Sequence, residues 1–282
     1  MAFCLVLFAA IGHTGWNFLA KRAAHCKHLP WFSSLGSSVL LLPVSFWILN
    51  ETHWAVSPRG IACLVATGIL HLFYTECLLR GYRVGDLSVV YPLARGTGPL
   101  LTFVGAILAL NERPSKVAVL GVLLVCCGIF VLSMPASSAS GRRERSGVFW
   151  GLLTGLIIAG YTLTDAYSVK VLALSPILVD CAGNLFRAFA LAPRAWLQRG
   201  VVTELRQYWR ESLGVSVLTP LAYLFVLFAM KLAPVSRIAP VREMSMIFGA
   251  FLGTMLLREG HVIRRAFAAA LIALGVVALT LD

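Results

Sequence analysis

Six side chains able to do ionic chemistry sit where the chain is otherwise apolar: Arg95, Asp165, Asp180, Arg187, Arg242 and Glu243. A guanidinium holds a carboxylate or phosphate through paired N–H donors. A carboxylate in the same setting can carry a proton or neutralise an arginine. The spacing of these groups is helical. Asp180, Asn184 and Arg187 recur at i, i+4 and i+7, one face of one helix. Tyr161, Thr164, Asp165 and Ser168 share a second face, and His71, Tyr74 and Thr75 a third. His13, Trp16 and Asn17 form a shorter fourth. Arg95 lies between Pro92 and Pro99, and Pro240 precedes Arg242. Proline removes an amide donor and kinks a helix, freeing carbonyls that a cavity can hydrate.

The elements that must position these groups cross a membrane. Of 282 residues, 59% are hydrophobic and 13% charged, against roughly a quarter charged in a soluble domain. The apolar residues come in blocks long enough to cross ~30 Å of hydrocarbon. Ten spans are predicted, near 2–20, 31–49, 60–80, 85–110, 116–133, 147–171, 176–197, 213–231, 234–257 and 264–281. The first apolar block begins at Met1 without a basic flank and reads as a transmembrane helix rather than a cleaved signal. A charge at the bilayer centre costs roughly 2.5–3.5 kcal/mol on insertion scales, so six facing lipid would cost on the order of 15–20 kcal/mol. They must face an aqueous interior, one another, or both.

The net charge of +12 is not a nucleic-acid footprint, because Lys and Arg fall mostly in short loops such as Arg142-Arg143-Glu144-Arg145. The seven cysteines include no CxxC pair and imply neither a disulfide framework nor a metal site. No catalytic triad or nucleotide-binding glycine loop suggests an enzyme, and no cofactor is implied. Gly151-xxx-Gly155 and Gly249-xxx-Gly253 fit close packing inside the bundle rather than dimerisation. The expectation is a monomer or weak homodimer in the lipid bilayer.

The polar stretch Pro135–Gly141 falls at the midpoint and divides two similar halves. The expected boundaries are a first five-helix repeat over 1–134, a polar linker over 135–146, and a second repeat over 147–282. An offset of 147 carries Arg95 to Arg242, Glu112 to Glu259 and Gly128 to Gly275. Five spans per half reverse the direction of entry. The predicted fold is therefore all-α, ten transmembrane helices in two inverted repeats around a central cavity, as in many secondary transporters.

Three features resemble the drug/metabolite transporter superfamily of the EamA type. They are Trp16-Asn17 with Lys21 in the first helix, a Tyr-Pro-bearing fourth helix ending in Asn111-Glu112-Arg113-Pro114, and Gly121 with Gly128 in the fifth. Arg258-Glu259-Gly260 and Gly275 repeat the pattern. The resemblance implies a ten-helix transporter in the plasma (inner) membrane with cytoplasmic termini. The stretch 91–99 is also similar to a subgroup associated with phosphonate utilisation. The loop charges disagree on orientation. Loops after odd-numbered spans carry fifteen Lys and Arg and the others six, which by the positive-inside rule places both termini outside.

The functional expectation is alternating-access transport of a small anionic or zwitterionic metabolite. The alternative is a non-transporting sensor or lipid-headgroup enzyme. Arg95 and Arg242 are expected to meet the anionic group, with His13, Asn17, Tyr74 and Tyr223 as polar or aromatic contacts. Asp165, Asp180, Arg187 and Glu243 are read as coupling-proton sites or ion-pair partners. Arg242 has a second possible partner in Asp165 or Asp180. Glu243 is expected to point about 100° away from Arg242. Glu112 is expected to cap or pair locally, and Lys170 to snorkel.

Overall fold

Proline and serine start several of the helices. Ser57 accepts a hydrogen bond from the Gly60 amide at 3.1 Å, ahead of Pro58 in the first turn of its helix. Pro30 and Pro176 occupy the same early position in two others. The computed structural model describes residues 1–23, 25–85, 87–132, 142–198, 200–248 and 262–281. In chain order they form α1 (Ala2–Arg22), α2 (Leu29–Glu51), α3 (Pro58–Val84), α4 (Leu87–Leu110), α5 (Lys116–Leu132) and α6 (Arg142–Lys170). There follow α7 (Pro176–Leu197), α8 (Val201–Gln207), α9 (Trp209–Leu232), α10 (Val235–Val241), a 3₁₀ turn (Arg242–Met244) and α11 (Val262–Leu281).

Among the described residues, six helical segments are long and apolar enough to cross a membrane: Ala2–Arg22, Leu29–Glu51, Pro58–Val84, Val89–Leu110, Arg145–Lys170 and Trp209–Leu232. Lys116–Leu132 and Ala266–Leu281 are apolar but shorter. Three features depart from the sequence reading. Helix α6 starts at Arg142, inside the expected linker, because Arg and Glu are good helix formers. A short helix, α8, occupies a stretch read as loop. The segment expected over 234–257 is interrupted after Pro240, where α10 tightens into the 3₁₀ turn. Residues 245–248 return to α-helix, and the remainder of that segment, with Gly249 and Gly253, lies outside the described residues, as do Glu259 and most of the linker.

Burial is inverted relative to a soluble protein. Asp165 and Glu243 are 0% exposed, whereas Leu108 is 76% and Phe189 74% exposed. An apolar exterior around buried charges is stable only with hydrocarbon outside. The interior packs α4 on α6, α5 on α11, α1 on α9, α3 on α6 and α2 on α7. Glycine sets the closest approaches. A Cβ on Gly121 would lie 2.9 Å from the Gly275 carbonyl, and one on Gly128 2.8 Å from that of Ala268. Gly151 and Gly155 likewise bring α6 against α4, where Leu93 and Thr97 fill the space a side chain would need.

The helix ends are tied at two places. Asn111, left-handed at φ 55°, stops α4, and the Glu112 amide bonds back to the Ala106 carbonyl at 3.2 Å. This turn delivers the Glu112 carboxylate to the start of α10, where it accepts from the amides of Val235 at 2.7 Å and Ser236 at 2.9 Å. Lys170 donates to Glu112 at 3.2 Å and to the Ala233 carbonyl at 3.0 Å. So Lys170 closes a clasp instead of snorkelling freely. Burial pushes the Glu112 carboxyl up, but the two amides and the Lys170 ammonium outweigh it and hold it below the usual range. At the other end of α9, Glu211 pairs with Arg22 at 3.5 Å. Glu204 of α8 accepts from His28, backbone and ring, at 3.2 and 2.9 Å.

Candidate functional site

The 3₁₀ turn after Pro240 presents Arg242 and Glu243 to the middle of α4 and α1. The Glu243 carboxylate lies between the two arginines. Its Oε2 accepts from Arg95 Nη1 at 3.3 Å and its Oε1 from Arg242 Nε at 3.4 Å. Glu243 is fully buried and Arg242 6% exposed. The expectation that Glu243 turns away from Arg242 is corrected here. Adjacent side chains diverge at Cβ, but both are long enough to fold back, and Arg95 supplies a second attraction. The carboxylate bonded to Arg242 is therefore Glu243, while Asp165, bonded to Tyr223, lies within electrostatic reach of Arg242.

His13 of α1 completes this cluster. Arg95 Nη2 faces its Nε2 at 3.0 Å, and Trp16 Nε1 faces its Nδ1 at 3.1 Å. A neutral imidazole accepts at one nitrogen only. One of these two N–H donors is therefore left facing a ring nitrogen that cannot accept it. Arg95 also lies over the Tyr91 ring, 5.7 Å from its centroid. Arg95 and Arg242 carry two positive charges against the single negative charge of Glu243. The cluster has surplus cation and surplus donors, which is what an anion requires.

A second polar group adjoins the first across a set of rings. His71 lies 4.2 Å from Tyr161 and 5.6 Å from Tyr223, and Tyr74 5.7 Å from Tyr161, centroid to centroid. The Tyr223 hydroxyl donates to Asp165 Oδ2. On α7, Asn184 donates to Asp180 Oδ1 at 3.0 Å and accepts from Arg187 Nη2 at 2.7 Å. The expected i, i+4, i+7 face is thus a bonded chain of three side chains. Asp165 Oδ1, Asp180 Oδ2 and Arg187 Nε are buried with no hydrogen-bond partner among the described residues.

Of the residues expected at the site, Arg95, Arg242, Glu243 and His13 come together, and Tyr74, Tyr223 and Asp165 gather at the rings. Asp180 and Arg187 join through Asn184. Asn17 stands apart: it is exposed and its amide donates to the His13 carbonyl at 2.6 Å. Tyr161 and Tyr91 were not among the expected contacts. Tyr161 stands i−4 from Asp165 and Tyr91 i−4 from Arg95, so each was signalled by sharing a face with a named residue.

A family model described as the EamA-like transporter family matches residues 1–134 and 145–281. The chain belongs to the EamA-like transporter family. It is a multi-pass membrane protein of the drug/metabolite transporter type. The fold has relatives among solved structures. One crystal structure superposes with a TM-score of 0.80 over 99% of this chain and 96% of that chain, at 15% identity. No curated protein matches the chain.

Proposed function

We propose that this EamA-type protein moves a small anionic or zwitterionic metabolite by alternating access, with Arg95 and Arg242 holding the anionic group. The observation that carries this reading is the meeting of two guanidiniums on one buried carboxylate. One carboxylate balances only one of the two guanidiniums, and a bound anion would balance the other. Tyr74, Tyr161, Tyr223 and His71 offer an aromatic wall for the rest of the molecule. Asp165, Asp180 and Arg187 serve as ion-pair and hydrogen-bond partners that fix this wall.

An inverted repeat of five and five helices suits this mechanism. Helices α5 and α11 support it. The offset of 147 carries Gly121 to Ala268 and Gly128 to Gly275. Across the helix pair Gly121 faces Gly275, and Gly128 faces Ala268. The two contacts are images of one another, as a twofold axis between the halves requires. The charge count supports an orientation in the plasma membrane with the α1–α2 loop and α8 in the cytoplasm.

A thermal-shift screen of the purified protein in detergent against a metabolite library tests the assignment. Carboxylates, phosphates or phosphonates should be enriched among stabilising compounds. Stabilisation confined to neutral or cationic compounds sinks it.

A further inference from the structure

We propose that the outer face of α8, together with the α1–α2 turn beside it, is a binding site for the headgroups of anionic phospholipids. It lies at helix ends rather than among the mid-span residues around Arg95 and Arg242, and does not depend on the anion-transport reading.

Helix α8 joins the end of α7 to the start of α9, and its seven residues are too few to cross hydrocarbon. One face of it is used by the protein. Val201 packs with Tyr208 against Ala23, Cys26 and Phe32 of the first half. Glu204 accepts from His28, and Arg22 holds Glu211 just beyond. The adjoining face is open. Val202, Leu205 and Arg206 stand at i, i+3 and i+4, and all three are exposed, Val202 by 62%. Trp209, at the head of α9, is 52% exposed, with the Arg210 guanidinium over its ring at 5.3 Å from the centroid.

Charge complementarity names the occupant. Lys21 and Lys27 are exposed at the turn beside α8, and Arg206 and Arg210 are exposed on α8 and α9. Among the described residues none of these four is ion-paired, and the carboxylates of this region are already engaged, Glu204 by His28 and Glu211 by Arg22. Unpaired cations beside exposed valine, leucine and tryptophan suit neither bulk water nor hydrocarbon. They suit the interface, where tryptophan rings sit at headgroup depth and basic side chains meet lipid phosphates. A soluble anion would use the charges and leave the apolar residues in water, and a neutral lipid would do the reverse. An anionic phospholipid uses both. The turn belongs to the first half of the chain and α8 to the second, so bound lipid engages both halves. It does so at the ends of α1 and α9, the helices that carry His13 and Tyr223.

The full-length protein in detergent is titrated with phosphatidylglycerol and, separately, with phosphatidylcholine of the same acyl chains. Native mass spectrometry counts the retained lipid, and tryptophan fluorescence follows melting. The parent should retain phosphatidylglycerol in preference by about tenfold or more, and its melting temperature should rise with that lipid alone. Changing Lys21, Lys27, Arg206 and Arg210 together to Gln should remove the preference and leave melting in phosphatidylcholine unchanged. Arg83 and Arg145 are exposed on the same side of the bundle and serve as the control. Arg83→Gln with Arg145→Gln should keep the preference. Equal retention of both lipids by the parent overturns the proposal. So does a preference that survives the quadruple change, or one that falls equally in the control. Glycerol phosphate protecting the parent as strongly as the lipid does, but not the quadruple variant, would make this a soluble-phosphate site and overturn it too. If the quadruple variant fails to fold, Lys21→Gln with Lys27→Gln and Arg206→Gln with Arg210→Gln should each lose part of the preference. Loss from neither pair overturns the proposal.

Discussion

Replacing Glu112 with Gln removes one charge at the point where α4, α6 and α10 are tied together. The Glu112 side chain is 11% exposed and Lys170 27%, so both interactions are largely shielded from water. The carboxylate accepts two backbone amides and one ammonium. Gln keeps one carbonyl acceptor and turns an NH2 toward a second donor. One charge-assisted hydrogen bond is lost at about 1.5–3 kcal/mol, and the ion pair adds up to about 1 kcal/mol. Glu112→Gln should therefore cost about 2–4 kcal/mol. A chain of this size loses about 2–4 °C of melting temperature per kcal/mol. Tryptophan fluorescence during heating in detergent reads the change. The pH dependence gives the sign. Because the folded carboxyl is held below its ordinary value of 4.5, the stabilisation is complete above that pH. It is lost as pH falls through the folded value, so the parent should converge on Glu112→Gln in acid. Equal melting temperatures at pH 7, or a gap that widens in acid, would refute the clasp.

Three further outcomes follow from the packing. Gly128→Ala places a Cβ 2.8 Å from the Ala268 carbonyl and should cost about 1–3 kcal/mol. Gly183→Ala meets nothing within 4 Å and should be neutral or slightly stabilising in the same melts. Asp165→Asn keeps an acceptor for Tyr223 but loses the charge. It should lower folded yield while uptake per folded molecule is unchanged. Loss of gradient-driven uptake at full yield, with counterflow intact, would instead make Asp165 a coupling-proton site. For orientation, Cys26 is a poor reporter because it is 6% exposed, and burial and then Glu204 push its thiol up to about 11. The exposed neighbour Lys27, changed to Cys in a background without Cys4 and Cys127, should resist an impermeant thiol reagent until cells are permeabilised. Labelling of intact cells would place the termini in the cytoplasm.

Much of the helix layout was legible because lipid demands long apolar runs, and prolines at 30, 58 and 176 mark where helices begin. The buried polar faces were legible for the same reason: Asp165 and Asp180 have nowhere else to go. What could not be read were pairings between helices far apart in sequence. Nothing in the order of residues says that Glu243, one position from Arg242, is also the partner of Arg95, 148 residues away. Likewise the end of α4 at Asn111 announces a turn, but not that Glu112 reaches Val235 and Ser236. The break after Pro240 was signalled as a kink; its tightening into a 3₁₀ turn depends on tertiary contacts.

The central claim is that Arg95 and Arg242 grip the substrate's anionic group. It is tested most directly by titrating an anionic ligand from the screen onto Arg95→Lys and Arg242→Lys. Lysine keeps the charge and loses the planar fork. Both variants should fold and insert, and each should bind roughly ten- to a hundred-fold more weakly than the parent. Affinities equal to the parent's in both variants would contradict the account and leave the arginines as structural partners of Glu243.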